Sequence, residues 1–390
     1  MERARKIVLV QFSGKLSGST ISSRFVGRAL RDGGAEVIYH LGFDGVFRGQ
    51  LIEEGFACAL APHDNWLRAG TIYGFLRAFW RDGRCAREFR RRFAELKPDL
   101  VYVNTLASHA AAKAAHDLGI PVVWHLRELF QDAGGELMAP PVLGKSWVSR
   151  RIRRLARRTL APSSAVCRNI FGCETLPTHR VVPNAVDVSE FSKLPTRAEA
   201  RARFGLPVEA PVVGVVGTFR PVKGQDVLVR AMPEVLAKRP DAVFAFVGGE
   251  APFRSEVRRL AEELGVADRC RFHGEVSDVA AFYAAVGLLC VPSRSESFGR
   301  TVVEAFAAGT PVVGALVGGL RDILREGENG LVFETGNSAS LAAALLRGLN
   351  AGTAERERWV EAGRRDVKAR YDEAAHARQI RAVVEEAIAE

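Results

Sequence analysis

The sequence predicts an α/β protein made of two doubly wound parallel-sheet domains that face each other across a cleft. Three observations carry this prediction. The 390 residues exceed one ordinary core and suit two domains of about 150 to 200 residues each. Short apolar runs alternate with stretches of helical periodicity along the whole chain, the pattern of repeated strand–helix–strand units. Glycines follow one apolar run after another, and glycine at the carboxyl end of a strand lets backbone approach a ligand closely.

Composition narrows the classes. With 47% hydrophobic and 26% charged residues the chain is an ordinary globular protein rather than a disordered one. No apolar stretch reaches the roughly 18 residues needed to cross a bilayer, and the N-terminus runs straight into a strand, so a cytoplasmic location is expected, with peripheral membrane contact the only membrane option. The six cysteines form no C-x-x-C pair, which favours buried free thiols over disulfides or zinc. Residues 1–190 hold 28 Lys and Arg against 18 Asp and Glu, whereas residues 191–390 hold 27 of each, so the whole +10 excess lies in the first half. That half is expected to meet something anionic, a lipid surface or an acidic polymer.

The elements follow in order. Lys6 to Phe12 reads as a strand, Ser13 to Thr20 as a glycine-containing loop, Ile21 to Arg31 as a helix stopped by Gly33 and Gly34, and Glu36 to Leu41 as the next strand. The loop lacks the G-x-x-x-x-G-K-[ST] spacing of a nucleoside-triphosphate P-loop. Residues 71–96 form a long helical stretch rich in Arg, Phe and Trp, followed by a strand from Asp99 to Asn104, an alanine-rich helix from Ser108 to Leu118 and a strand from Pro121 to Leu126. The end of that strand carries His125, Arg127 and Glu128; a histidine there is either a hydrogen-bonded structural residue or a ligand contact. Ser149 to Thr159 reads as a helix with six arginines around Ile152 and Leu155. Two readings stand: a solvated amphipathic helix, or an interfacial helix whose Arg150 to Arg158 meet anionic headgroups. The first domain spans residues 1–187, and residues 188–210 read as a connection with a short helix.

In the second domain, residues 211–367, Pro211 to Val216 is a strand, Gln225 to Lys238 a helix, Ala242 to Val247 a strand ending at Gly248 and Gly249, Arg254 to Leu264 a helix, and Cys270 to His273 a strand leading to Gly274. Between the first of these strands and its helix lies Gly217-Thr-Phe-Arg-Pro-Val-Lys-Gly224. Arg220 and Lys223 there can neutralise a diphosphate, Lys as a mobile point charge and Arg as a fork, or simply form a solvated basic turn. The apolar run Val286 to Val291 is a buried strand closed by Pro292, and Thr301 to Ala308 is a helix stopped by Gly309 and Pro311. The loop between them, Ser293 to Arg300, places a helix N-terminus at a strand's carboxyl end, where unpaired N–H groups favour an anion. Gly299 lets a phosphate approach. Glu304, roughly 5 Å along the axis from the helix start, can bond hydroxyls beside that phosphate, and Glu296 can reach past it in the other direction. A ligand with a polyol, a phosphate and a second polyol fits this order, which describes a nucleotide-sugar; the bland alternative is an acidic loop and a helix-surface carboxylate.

Glu296-Ser-Phe-Gly-Arg-Thr-Val-Val-Glu304-Ala, then Ala308-Gly-Thr-Pro-Val-Val313, Gly318-Gly319 and Glu328-Asn-Gly-Leu-Val-Phe333, resembles the donor-binding half of the retaining glycosyltransferases of family 4. Val181-Val-Pro-Asn-Ala-Val-Asp187 with Phe191 resembles that family's crossing between domains. The resemblance implies a GT-B fold, with the last helix, about 368–390, packing back on the first domain. It implies transfer of a sugar from a nucleoside-diphosphate-sugar to a hydroxyl acceptor with retention. UDP-sugars are slightly favoured because uridine carriers are common in the family. No cofactor beyond the donor and no metal are implied, there being no Asp-x-Asp motif. The acceptor is a lipid-linked sugar, a polysaccharide or a small glycoside.

Residue by residue, the resemblance implies that Glu304 holds the nucleotide ribose, Glu296 the transferred sugar, and Lys223 and Arg220 the diphosphate, together with Gly217, Gly274, Ser297, Phe298, Gly299, Arg300 and Thr301. Gly18 faces the diphosphate from the first domain, and His125 lines the donor sugar at the reaction centre. Three positions depart from the family pattern: Ser19, Ala185 and Thr218, where the family often has glycine, glycine and arginine. Arg220 is a candidate to supply the charge missing at Thr218. Residues 43–92, where an acceptor pocket would lie, match weakly. Two other functions remain open from the sequence: a nucleotide-sugar 2-epimerase, which binds the same donors, and a non-enzymatic polyanion binder. No RNA-recognition or helix-turn-helix frame supports the latter, and nucleic acid is not an expected partner.

Overall fold

A computed structural model of the protein describes residues 3–67, 71–130 and 143–390. The chain divides into two compact units, one built from the residues before 186 together with 373–390, the other from residues 186–372.

The first unit runs β1 (Lys6–Gln11), α1 (Gly18–Asp32), β2 (Glu36–Leu41), α2 (Val46–Glu53), β3 (Ala57–Leu60), α3 (Ile72–Leu96), β4 (Leu100–Asn104), α4 (His109–Asp117), β5 (Val122–His125), α5 (Gly144–Leu155), β6 (Arg158–Ala161), α6 (Ser164–Phe171) and β7 (His179–Val181). Its seven strands lie in the order β3-β2-β1-β4-β5-β6-β7, and every pair is parallel. Alternation sorts the side chains onto two faces. Val8, Val10, Val101, Val103 and Trp124 enter one core with residues of α3 to α6, while Ile7, Leu9, Leu100, Tyr102 and Val123 enter the other with residues of α1. Both faces are covered, so the strands are apolar throughout rather than alternating with polar residues.

The second unit runs α7 (Arg197–Arg203), β8 (Val212–Val216), α8 (Gln225–Lys238), β9 (Val243–Val247), α9 (Pro252–Glu263), β10 (Cys270–His273), α10 (Val279–Ala285), β11 (Leu288–Val291), α11 (Arg300–Ala308), β12 (Val312–Ala315), β13 (Leu331–Phe333), α12 (Ser338–Asn350) and α13 (Thr353–Asp366). Its six parallel strands are ordered β10-β9-β8-β11-β12-β13. Register aligns Val216, Val247 and His273 at the ends of β8, β9 and β10, so Gly217, Gly248 and Gly274 follow side by side at the carboxyl edge. The chain then returns to the first unit as α14 (Glu373–Ala389), whose Ala377, Ile380, Val383, Val384 and Ala387 join the core beside α1.

Three sequence expectations change. Helix α1 begins at Gly18 rather than Ile21, because Ser17 and Thr20 form a capping box at its start. Residues 188–210 are not a free connection: α7 packs on α10, and buried Arg201 donates through Nε to Ala285 O at 3.0 Å and through Nη1 to Pro207 O at 3.0 Å. The basic helix expected over 149–159 ends at Leu155, and Arg158 opens strand β6. Arg158 pairs with Glu386 of α14 and with Glu390 just beyond it, Arg157 donates to Ala387 O at 3.0 Å, and Arg151 donates to His109 Nε2 at 3.0 Å. Arg150 to Arg158 is therefore not one exposed basic face. Three of its arginines serve the first unit's interior, and Arg150, Arg153 and Arg154 are exposed. Among the described residues no helix is long and apolar enough to cross a membrane.

Candidate active site

At the carboxyl edge of the second sheet two loops are tied together. The first follows β8 and contains a 3-10 turn, Pro221–Lys223; the second follows β11 and leads into α11. Arg294 N donates to Val222 O at 2.8 Å, and its guanidinium grips Asp226 in a fork, Nη1 at 2.7 Å and Nη2 at 2.6 Å. Lys223 Nζ lies 2.7 Å from Glu296 Oε2, which also accepts from Ser293 Oγ at 3.5 Å. The proposed diphosphate cation and the proposed sugar carboxylate thus form one pair, about a third and a seventh exposed respectively.

Glycines set the loop geometry. Gly299, the residue before α11, has φ 113°, and a Cβ there would overlap Leu320 Cδ2. Gly319 N donates to Glu296 O at 2.8 Å, and an added Cβ would sit 2.7 Å from Phe298 Cα, so the Gly318-Gly319 pair presses on the back of the loop. Phe298 points inward: it is buried in the core, its ring 5.9 Å from that of Tyr371. Its side chain anchors the loop, which leaves its backbone as the part that can face a ligand. Ser297 and Arg300 flank this stretch, and Thr301 lies half-buried in the first turn of α11. That helix has neither a side-chain cap nor an acidic residue in its first turn, so its own residues do not neutralise the positive end of its dipole.

Glu304, one turn into α11, accepts a hydrogen bond from Tyr283 OH at 2.8 Å and lies 3.8 Å from Arg300 Nη1. Burial pushes its carboxyl above the ordinary range, opposed by the Arg300 charge and the Tyr283 bond. Of the other predicted residues, Gly217 faces the stem of Lys223, whose Cδ would lie 3.9 Å from a Cβ added there, and Arg220 is half-buried on the same loop. Gly274 has open space where a Cβ would be, so sterics do not require glycine there.

The first sheet's carboxyl edge is built differently. Register puts Gln11, Asn104 and His125 in a row at the ends of β1, β4 and β5. Asn104 Nδ2 donates to Gln11 Oε1 at 2.5 Å and to Ser19 O at 3.2 Å, while Arg127 donates through Nε to Asn104 Oδ1 at 2.8 Å and through Nη1 to Asn184 Oδ1. Glu128 accepts from Leu106 N at 2.9 Å and Arg127 N at 3.2 Å, and burial pushes its carboxyl up to about 7.

His125 lies at the end of β5 with its ring buried. It shares a sheet face with Tyr102 and Val123 and is 0% exposed, with Nδ1 2.6 Å from Tyr102 OH. Burial, then the nearby Arg127 charge, holds it far below the usual histidine range, so it is neutral. The residue that carries charge just past this strand end is Arg127. Gly18 likewise has open space around it and no positive φ; the glycine that loop requires is Gly14, whose Cβ would lie 2.8 Å from Asp44 C.

The profile of glycosyl transferases group 1 matches residues 196–366, and that of glycosyltransferase family 4 matches residues 18–190. A D-inositol 3-phosphate glycosyltransferase of Xylanimonas cellulosilytica is 33% identical over 296 residues, 72% of this chain and 70% of that protein. The chain belongs to glycosyltransferase family 4. Another relative of the same name, from Acidothermus cellulolyticus, is 35% identical over 264 residues, 63% of this family-4 chain and 58% of that protein, so the match spans less than two thirds of its length. Among solved structures, Anabaena HepE, described in complex with UDP and glucose, aligns with TM-score 0.80 at 22% identity, over 98% of this chain and 99% of that one. A glycosyltransferase from Rickettsia africae aligns with TM-score 0.82 at 17% identity, over 99% of both. These likenesses show the fold, which is GT-B.

Sequence reasoning missed Arg294, Asp226 and Tyr283. Arg294 sits inside the quoted loop, but its fork to Asp226, 68 positions away, is a tertiary choice with no local signal. Tyr283 had only the apolar character of its helix to mark it.

Proposed function

We propose that this family-4 chain is a retaining, metal-independent glycosyltransferase that moves a sugar from a nucleoside-diphosphate-sugar to a hydroxyl acceptor. The observation that carries the reading is the Lys223–Glu296 pair beside the uncapped start of α11, with Glu304 one turn further on. As the glycosidic bond breaks, charge develops on the departing diphosphate. Lys223, Arg220 and the first turn of α11 are fixed groups that meet such charge, the preorganised electrostatics that dominate many enzyme reactions. Glu304, steadied by Tyr283, accepts bonds from the ribose hydroxyls, and Glu296 from those of the transferred sugar. Retention follows if the acceptor oxygen attacks on the face the diphosphate leaves and a phosphate oxygen takes its proton.

The UDP and glucose described with the Anabaena structure support a uridine donor, and the relatives' printed name supports an acceptor that is a phosphorylated polyol. The basic excess of residues 1–190 suits such an acceptor. The test is a thermal-shift panel of nucleoside diphosphates and their sugar conjugates, with and without EDTA, on parent and Glu304→Gln chains. We expect an EDTA-insensitive rise with one base that falls at least about ten-fold in apparent affinity in Glu304→Gln. No rise with any nucleotide, or equal rises in both chains, would remove this loop as the donor site. Release of nucleoside diphosphate in step with a glycoside on D-inositol 3-phosphate, against an isomerised donor and no glycoside, separates transfer from epimerisation.

A further inference from the structure

The second unit holds a cavity of about 410 Å³ at the opposite end of its sheet from the donor loops. It opens beside Pro211 and Val212, where β8 begins, and Gly287, just before β11. Five strand residues at about 3.3 Å each separate it from Gly217 by roughly 16 Å, so one small ligand does not span both places.

Four arginines line this cavity, Arg197, Arg201, Arg239 and Arg356, against a single carboxylate, Glu209. Arg239 is paired with Asp241 at 3.2 Å. Among the described residues, the other three have no carboxylate within ion-pair distance, although residues 191–390 contain equal numbers of acidic and basic side chains. Arg201, 3% exposed, is held by the carbonyls of Ala285, Pro207 and Val208, which leave its Nη2 without a bond among the described residues. Arg356 is held through Nε to Ala351 O at 3.2 Å and through Nη2 to Gly348 O at 2.7 Å, leaving Nη1 likewise. Arg197 is exposed and makes no hydrogen bond or ion pair among them.

Cations at the carboxyl ends of α10 and α12 complement those helix dipoles, which explains why Arg201 and Arg356 bond where they do. It does not explain why Arg197 and Arg239 converge on the same cavity with one carboxylate among them. Burial, and after it the positive charge of Arg197, holds both Arg201 and Arg356 below the ordinary arginine range, with Glu209 opposing the shift at Arg201. The forks of Arg201, Arg239 and Arg356 are held before any ligand arrives, the cavity falls within the size range of small-molecule sites, and planar forks suit phosphate oxygens.

We propose that this cavity is a second ligand site of the chain, taking a small phosphate-bearing molecule by its phosphate group. It is independent of the donor site and of the reaction assigned to it. The probe is inorganic pyrophosphate, titrated calorimetrically at low salt into the full chain carrying Lys223→Ala, which weakens anion binding at the donor loops. We expect one saturable site, weakened at least about five-fold by Arg197→Glu and tightened by Glu209→Gln. Both positions are exposed and make no fold-holding bond, so folding is not at risk. Absence of saturable binding overturns the proposal, as does binding that responds to neither substitution.

Discussion

Helices α1 and α11 both follow a strand through a polar loop at a carboxyl edge, yet they begin in opposite ways. Helix α1 caps itself: Ser17 and Thr20 satisfy its first turn, and the groups around it close on one another, Gln11 to Asn104, Asn104 to Arg127, Arg127 to Asn184. Helix α11 has no side-chain cap, its entry is forced into a left-handed turn by Gly299, and the charged pair next to it is partly open. A polar edge is thus not by itself a site. What separates the two is whether the helix start is capped by its own side chains.

The sharpest way to break this comparison is to put the same methyl group into both helix starts. Gly299→Ala places an L-residue at φ 113° against Leu320, at a cost of about 3 kcal/mol or more from strain and overpacking, and donor binding should be lost. Gly18→Ala enters open space in a helical position and should be neutral or stabilise by about 0.5 kcal/mol. Chemical denaturation and nucleotide titration of the two variants read this directly; similar losses in both would mean the loops do not differ as described.

An intermediate effect is expected at His125. Its Ala variant loses the Tyr102 bond and leaves a cavity, so stability should fall by about 2 kcal/mol while turnover of the folded protein is retained. A collapse of kcat with an unchanged melting temperature would instead return His125 to the reaction centre. The smallest effect is at Tyr283. Tyr283→Phe removes a bond that favours the charged form of Glu304, so burial raises that carboxyl's pKa further. A carboxylate with a raised pKa is lost as pH falls through the raised value, so the donor KM should rise by about three- to five-fold and the gap should widen toward acid pH. A pH-independent gap would reduce Tyr283 to a packing residue.

Much of this was legible in the sequence, for local reasons. Glycine demand is a property of a few adjacent residues, so Gly299, Gly217 and Gly318-Gly319 could be read without a structure. The strand–helix alternation of the second unit was equally local. The misreadings share a different cause. Arg158 continues an arginine-rich helical pattern, and only Glu386 and Glu390, more than two hundred positions later, make it the buried first residue of a strand. The four-residue strand β3, half-exposed at the sheet edge, is too short to stand out.

Helix α14 also has a consequence for how the protein is made. The sheet face formed by Ile7, Leu9, Tyr102 and Val123 needs Ile380, Val383 and Val384 to complete its packing, and those residues leave the ribosome after the whole of the second unit. At translation rates of about 5 to 20 residues per second, the part synthesised first waits roughly ten to forty seconds for its last wall. The second unit can close its core in that interval, so the order of completion reverses the order of synthesis. During the wait, the apolar face awaiting α14 is the surface on which a nascent-chain chaperone would act.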